Sequence, residues 1–232
     1  SMQSPDYKKR LKLQLIIVLS IAVMSCGVPS VPTALSSLLE RESIRVGTVY
    51  GAGTFYNGAE GPQGFEYELL AGFADYLGVT LDLYPFYSYE VMLEQLEEGN
   101  LDIVATGDAV TDSLKERFAY GPAYQHIEQE LVFQAGTNKP RDLSDLDAPI
   151  VAVSGSSQAH LLADIFAELN ETGEVIKTNV VTTEDSDSEE LLQQVANGDI
   201  AYTVADSNRL ALQRRRYPNL AVAKTLNEKM PM

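Results

Sequence analysis

A helix, a glycine and a short strand occur in that order twice in this chain, and the repetition limits the folds open to it. Leu93 to Ala105 lies over Leu192 to Val204, an offset of 192 − 93 = 99 residues, with Gly99 over Gly198. In both copies an amphipathic helix ends on a glycine, the residue best suited to a left-handed terminus, and a β-branched run follows. Any two amphipathic helices look somewhat alike by chance. Here, however, an opening strand precedes each copy in the same order, from Ile44 and from Ile150, which favours a true repeat. Strands alternating with helices predict parallel βαβ units with right-handed crossovers. The expected fold class is therefore α/β with two lobes. Residues 44–134 form lobe 1, 135–147 a hinge around the polar Gly136 to Arg141, 148–226 lobe 2, and 227–232 a return segment.

Within lobe 1, Ser43 to Val49 reads as the first strand and Tyr50 to Gly64 as a loop rich in glycine and aromatics. Phe65, Leu69, Phe73 and Leu77 recur every four residues, so they share one face of an amphipathic helix that ends at Gly78. Val79 to Tyr84 is a strand, Tyr89 to Glu98 a helix and Leu101 to Ala105 a strand. Lobe 2 opens on the apolar run to Val153, then Ser154-Gly155-Ser156-Ser157, then a helical pattern. The first turn of a helix presents unpaired N–H groups and the positive end of the dipole, so this turn is a candidate seat for a carboxylate or phosphate. The plainer reading is a Ser N-cap. In an open parallel sheet, ligands sit beyond the carboxyl ends of the strands. Those ends are Tyr50, Thr106 to Asp108, Ser154 to Ser157, and Ala205 to Ser207.

Composition removes several function classes. Of the 232 residues 45% are hydrophobic and the formal charge is −16, so a phosphate backbone would be repelled and nucleic acid is not an expected partner. Two His and one Cys offer little for a metal site or a disulfide framework, and no cofactor is expected. Asp185 to Glu189 begins like a calcium loop but lacks its glycine and terminal Glu; Asp187 or Ser188 as a helix cap accounts for it. The glycines at 47, 51, 53 and 58 have the wrong spacing for a dinucleotide fingerprint. Ser154-Gly155-Ser156 is not a nucleophile elbow. The N-terminus has the order of an export signal, with Lys8 to Lys12 basic, Leu13 to Met24 apolar, and then Ser25-Cys26-Gly27.

Several stretches resemble a known family. They are Gly64 to Leu69, Asp102 to Ala105, Thr111 through Phe118, Gly121 to Tyr124, Val153 to Ser157, Ser188 to Leu192 and Tyr202 to Ser207. Together they look like the type 2 periplasmic solute-binding fold. In particular they resemble the solute-binding-like half of the membrane-bound lytic murein transglycosylase F family. The resemblance implies a small amino-acid- or peptide-like ligand gripped between closing lobes, in a sensor domain or a transport receptor. By the same resemblance Tyr50 and Phe55 pack on the ligand, the backbone at Gly107 and Ala109 binds its polar groups, Ser154, Ser156 and Ser157 take a carboxylate, and Asp206 pairs with an ammonium. The plainer reading of Asp206 is a helix N-cap. Val23 to Gly27 resembles a lipobox, which implies acylation at Cys26, a membrane anchor in the periplasm, and outer-membrane placement near peptidoglycan. The family carries an Arg three residues after Thr111 to grip a carboxylate. This chain has Leu114 there, with Arg117 a turn further on as the candidate substitute. No part of the chain resembles the family's catalytic domain, so the chain is not expected to be an enzyme by itself; the alternative is that it is part of a lytic murein transglycosylase whose catalytic domain lies outside it, and the elements completing lobe 1 are expected to be missing.

Overall fold

The computed structural model describes residues 33–51, 54–173, 177–227 and 230–231. The export-signal segment and Cys26 lie outside them. The chain divides into two compact units, Ser1–Arg41 and Glu42–Met232. In the first unit the structure describes a helix, α1 (Ala34–Arg41). The Thr33 hydroxyl accepts a hydrogen bond from the Ser36 N–H at 3.1 Å and so caps it.

The second unit contains two larger sheets and, among the described residues, two two-stranded ribbons. Its first part runs β1 (Ser43–Val49), a hairpin of β2 (Tyr56–Gly58) and β3 (Gly61–Gln63), α2 (Phe65–Leu77), β4 (Thr80–Phe86), α3 (Tyr89–Glu97) and β5 (Ile103–Ala105). The parallel sheet β4-β1-β5 sets Ile44 opposite Leu81 and Val46 opposite Ile103. After α4 (Asp112–Lys115) and β6 (His126–Ile127) come β7 (Gln129–Gln134), β8 (Ile150–Val153), α5 (Ser157–Glu171) and β9 (Val180–Thr183). There follow α6 (Ser188–Asn197), β10 (Tyr202–Asp206), α7 (Ser207–Gln213), β11 (Leu220–Thr225) and β12 (Met230–Pro231). The second sheet has the order β11-β7-β10-β8-β9. Its parallel part, β10-β8-β9, repeats β5-β1-β4 strand for strand. Gly99 and Gly198 stand at matching helix ends with φ of 76° and 83°. The repeat read in the sequence is thus visible as topology.

Three expectations need correcting. The lobe boundary is earlier than predicted, because β7 lies in the middle of the second sheet, antiparallel to both β10 and β11. Leu131 and Phe133 face one side core and Val132 the other, the period-2 pattern of a strand covered on both faces. An apolar run of this kind does not say which sheet it will join. The chain therefore crosses between the lobes before Gln129, and again where β12 runs antiparallel beside β6. The expected hinge is also part of lobe 2, since Leu143 and Leu146 are buried in its core. Finally, the Phe65–Leu69–Phe73 face of α2 points outward, at 55%, 49% and 41% exposure, while Glu66, Leu70 and Ala74 face inward. A carboxylate on the buried face hides the true amphipathic pattern. A third apolar cluster joins the lobes, packing Val49, Tyr89 and Met92 against Val153 and Leu191.

Candidate ligand-binding site

The carboxyl ends of both sheets meet across this cluster. From lobe 2, the chain leaves β8 through Ser154 and Gly155 and enters α5 with Ser156 as N-cap, its hydroxyl accepting from the Ala159 N–H at 3.2 Å. Gly155 has φ +72°, and a Cβ there would lie 2.8 Å from Glu90 Cγ and 2.9 Å from Tyr89 Cβ. The first turn of α3 is thus pressed onto the serine turn, which leaves no room for any side chain between them. The Ser154 hydroxyl donates to the Glu90 carboxylate at 2.9 Å.

Beside that turn lies a buried acidic cluster. Asp206, at the end of β10, is fully buried, and its side chain makes no cap bond to α7. Its Oδ1 accepts from Gln129 Nε2 at 2.9 Å and from Gln158 Nε2 at 2.8 Å, while Gln129 Nε2 also donates to the Ser157 hydroxyl at 3.0 Å. Arg209 reaches across from α7. Its Nη2 donates to the Thr106 carbonyl at 3.0 Å and to Asp108 Oδ1 at 3.2 Å, and its Nε stands 3.8 Å from Asp206 Oδ2. Glu66, buried on α2, is hydrogen-bonded to the Tyr124 hydroxyl. Burial pushes the Asp108 carboxyl up to about 6, with the charge of Asp206 adding to it and Arg209 opposing. It pushes Asp206 and Glu66 upward as well. Arg209 is held above its ordinary value by Asp108, Tyr89 and Asp206, against the desolvation that opposes it. One guanidinium thus serves three desolvated acids, which leaves the cluster short of positive charge.

Two cavities flank the cluster, with Tyr89 in the wall of both. One, of about 270 Å³, lies between the stacked rings of Tyr50 and Tyr87 (centroids 4.9 Å apart) and the acidic start of α6, with Arg209 as its lining cation. The other, of about 640 Å³, is bounded by Asp108, Ala109, Leu114, Arg117 and Ser157.

The expected residues therefore fall in different places. Tyr50 lines the smaller cavity; Ala109, Arg117 and Ser157 line the larger. Asp206 is fully buried against Gln129, Gln158 and Arg209 and lines neither cavity, and Gly107 lies beside Glu66. Phe55 is buried behind Tyr50, at a centroid distance of 5.6 Å. The Ser156 hydroxyl is taken by its cap and donates to the Val153 carbonyl at 2.7 Å. Arg117 is no free substitute for the missing arginine, since it forms an ion pair with Glu97 at 2.8 Å and lies over Phe118. Sequence reasoning placed Asp108 only at a strand end, with no role, and missed Arg209, Gln129 and Gln158. Arg209 did carry a signal, because a cation in the first turn of a helix opposes the dipole and needs some other partner. As for the Asp185–Glu189 stretch, Asp187 caps α6 in a reciprocal capping box with Glu190.

Two α/β lobes with matched strand order, crossed twice by the chain and meeting at their carboxyl ends, are the build of a periplasmic-type solute-binding protein. The chain belongs to the bacterial extracellular solute-binding proteins, family 3, whose family model matches residues 44–214. It is similar over its full length, at 85% identity over 232 residues, to the membrane-bound lytic murein transglycosylase F of Alteromonas mediterranea, and covers 50% of that protein. The chain spans about half the length of the curated relatives it matches. Among solved structures, an ancestral amino acid-binding protein that is a precursor of cyclohexadienyl dehydratase aligns with TM-score 0.68 and 21% identity, over 86% of this chain and 84% of that one. A putative L-cystine ABC transporter from Listeria monocytogenes aligns with TM-score 0.69 and 18% identity, over 82% and 80%.

Proposed function

We propose that the chain is a ligand-binding domain whose lobes close on a small amino-acid- or peptide-like molecule at the Tyr50–Asp206 cleft. In this reading it is the sensor or regulatory half of a murein-processing protein, held at the periplasmic face of a membrane, in the outer membrane by preference, through acylated Cys26. The observation that carries the reading is the buried acid Asp206, whose Oδ2 has no hydrogen-bond partner among the described residues and stands 3.8 Å from Arg209, the residue that reaches Asp108 of the other lobe. A free-standing transport receptor is the second binding reading, supported by what the solved relatives are named for. Any murein-cleaving activity would belong to polypeptide outside these residues; turnover of peptidoglycan by this chain itself would overturn the sensor reading.

The test is a thermal-shift screen with amino acids, amines and cell-wall peptides. A ligand at a hundred times its Kd stabilises by about 2.7 kcal/mol, and about 2–4 °C accompanies each kcal/mol in a protein of this size. A rise of roughly 5–10 °C is therefore expected from a true ligand. Asp206→Asn should remove that rise. An unchanged rise in the variant would take Asp206 out of the site, and no rise with any compound would end the cleft reading.

A further inference from the structure

The repeat sets Thr106 and Gly107 of lobe 1 over Ala205 and Asp206 of lobe 2, at the tips of β5 and β10. Arg209 joins these two tips. It leaves α7 in lobe 2 with its Nε 3.8 Å from Asp206 Oδ2, and its Nη2 donates to the Thr106 carbonyl at 3.0 Å and to Asp108 Oδ1 at 3.2 Å in lobe 1. Beyond the carboxyl ends of parallel strands is where ligands of such folds sit. Here that place holds a side chain of the protein itself.

The guanidinium also helps to divide the space around it. Arg209 lines the smaller cavity and Asp108 the larger, the two residues are in contact, and Tyr89 stands in the wall of both cavities. Among the described residues that line the smaller cavity Arg209 is the sole cation, in company with Glu184, Asp185 and Glu189. Its own helix does not ask for it. As the third residue of α7 it meets the positive end of the dipole, so the acids around the cleft, and not the helix, account for its placement. Arginine suits that placement, because its flat fork reaches several acceptors at once from the end of a long stem.

We propose that Arg209 is a tethered occupant of the cleft: its guanidinium fills the space between Asp108 and Asp206 from within, holds the lobes together there, and must swing out before a cationic group of a ligand can enter. This rests on the cleft reading above and adds to it a resident competitor for the same place. Such a competitor lowers the apparent affinity of any cationic ligand by the fraction of molecules in which the arginine has swung out. A mere strut between the lobes would differ in one respect, since a free guanidinium could not take over its task.

Replacement of the side chain by a free cation tests this. Arg209→Ala with ethylguanidinium should show a rise in melting temperature of about 3–6 °C at ten times the Kd, and the unaltered chain none. Hydrogen exchange at residues 106–109 and 154–159, quickened in the variant, should slow again at least fivefold when the cation is added. N-ethylurea, its uncharged isostere, should have no effect. An equal effect of the urea, or an equal response of variant and unaltered chain to ethylguanidinium, overturns the proposal. Any amine or guanidine found by the ligand screen should bind Arg209→Ala at least tenfold tighter than the unaltered chain, and equal or weaker binding counts against the proposal. The rescue needs no natural ligand, so it decides the role of Arg209 whether or not the screen returns a compound, and a screen without hits ends the cleft reading alone. Should Arg209→Ala fail to fold, Arg209→Lys serves instead. Its ammonium cannot fork to Thr106 and Asp108 while staying beside Asp206, so exchange at 106–109 should quicken at least threefold, and unchanged exchange overturns the proposal.

Discussion

Asp108 is the residue whose protonation the fold controls most directly. The groups facing it are Arg209 from α7, Asp206 from β10, Tyr89 from α3 and the Thr106 side chain, with Tyr120 and Tyr124 nearby. Burial is the largest influence, and it sets the carboxyl at about 6 in the folded chain, against roughly 3.9 when unfolded. The folded state thus binds this proton more tightly. Stability linked to it is fully present below about pH 4 and is lost as pH rises toward about 6. Asp206 and Glu66 are shifted in the same direction. The melting temperature should therefore be higher at pH 5 than at pH 7.5, and Asp108→Asn should shrink that difference measurably in calorimetry. If the difference persists in full, Asp108 is not its source. The family resemblance, together with its place at a strand end, marked Asp206 as a site candidate. Nothing local marked Asp108 as its partner, since they stand 98 positions apart and meet only through Arg209.

Among the elements, α2 separates pattern from packing most clearly. Spacing alone puts Phe65, Leu69 and Phe73 on the inner face, yet Leu70 and Ala74 are the buried ones, accompanied by Glu66. Leu70→Ala should cost about 2–4 kcal/mol, as large-to-small changes in a core do. Leu69→Gln, on the exposed face, should stay within about 0.5 kcal/mol. Denaturant titration of the two variants decides the matter, and a larger loss for Leu69→Gln would restore the inward reading. The caps were more legible than the faces. Asp187 with Glu190, Ser156, and the glycines at 99 and 198 all act where their residue types suggest, because a cap depends on bonds within a few residues.

At the scale of the whole molecule, the lobes are joined by apolar packing and by one buried bridge. Arg209 and Asp108 side chains are only 13% and 6% exposed. Removing one partner of such a pair leaves the other charged and buried, a loss of about 3–5 kcal/mol. Arg209→Gln should loosen closure without unfolding either lobe. Hydrogen exchange would show this as at least tenfold faster exchange at residues 106–109 and 154–159, with 131–133 still protected. Unchanged exchange at the first two segments would mean that the apolar cluster of Val49, Tyr89, Met92, Val153 and Leu191 closes the cleft unaided. The sequence by itself determined the class of fold, the twofold internal repeat, the helix caps and the family, because each is written in local periodicity or in residues a few positions apart. Only the tertiary structure decided which sheet β7 joins, which face of α2 is buried, and how Asp108, Asp206 and Arg209 share one desolvated space. Those depend on free energies of burial and charge pairing between segments about a hundred residues apart, which no local pattern encodes.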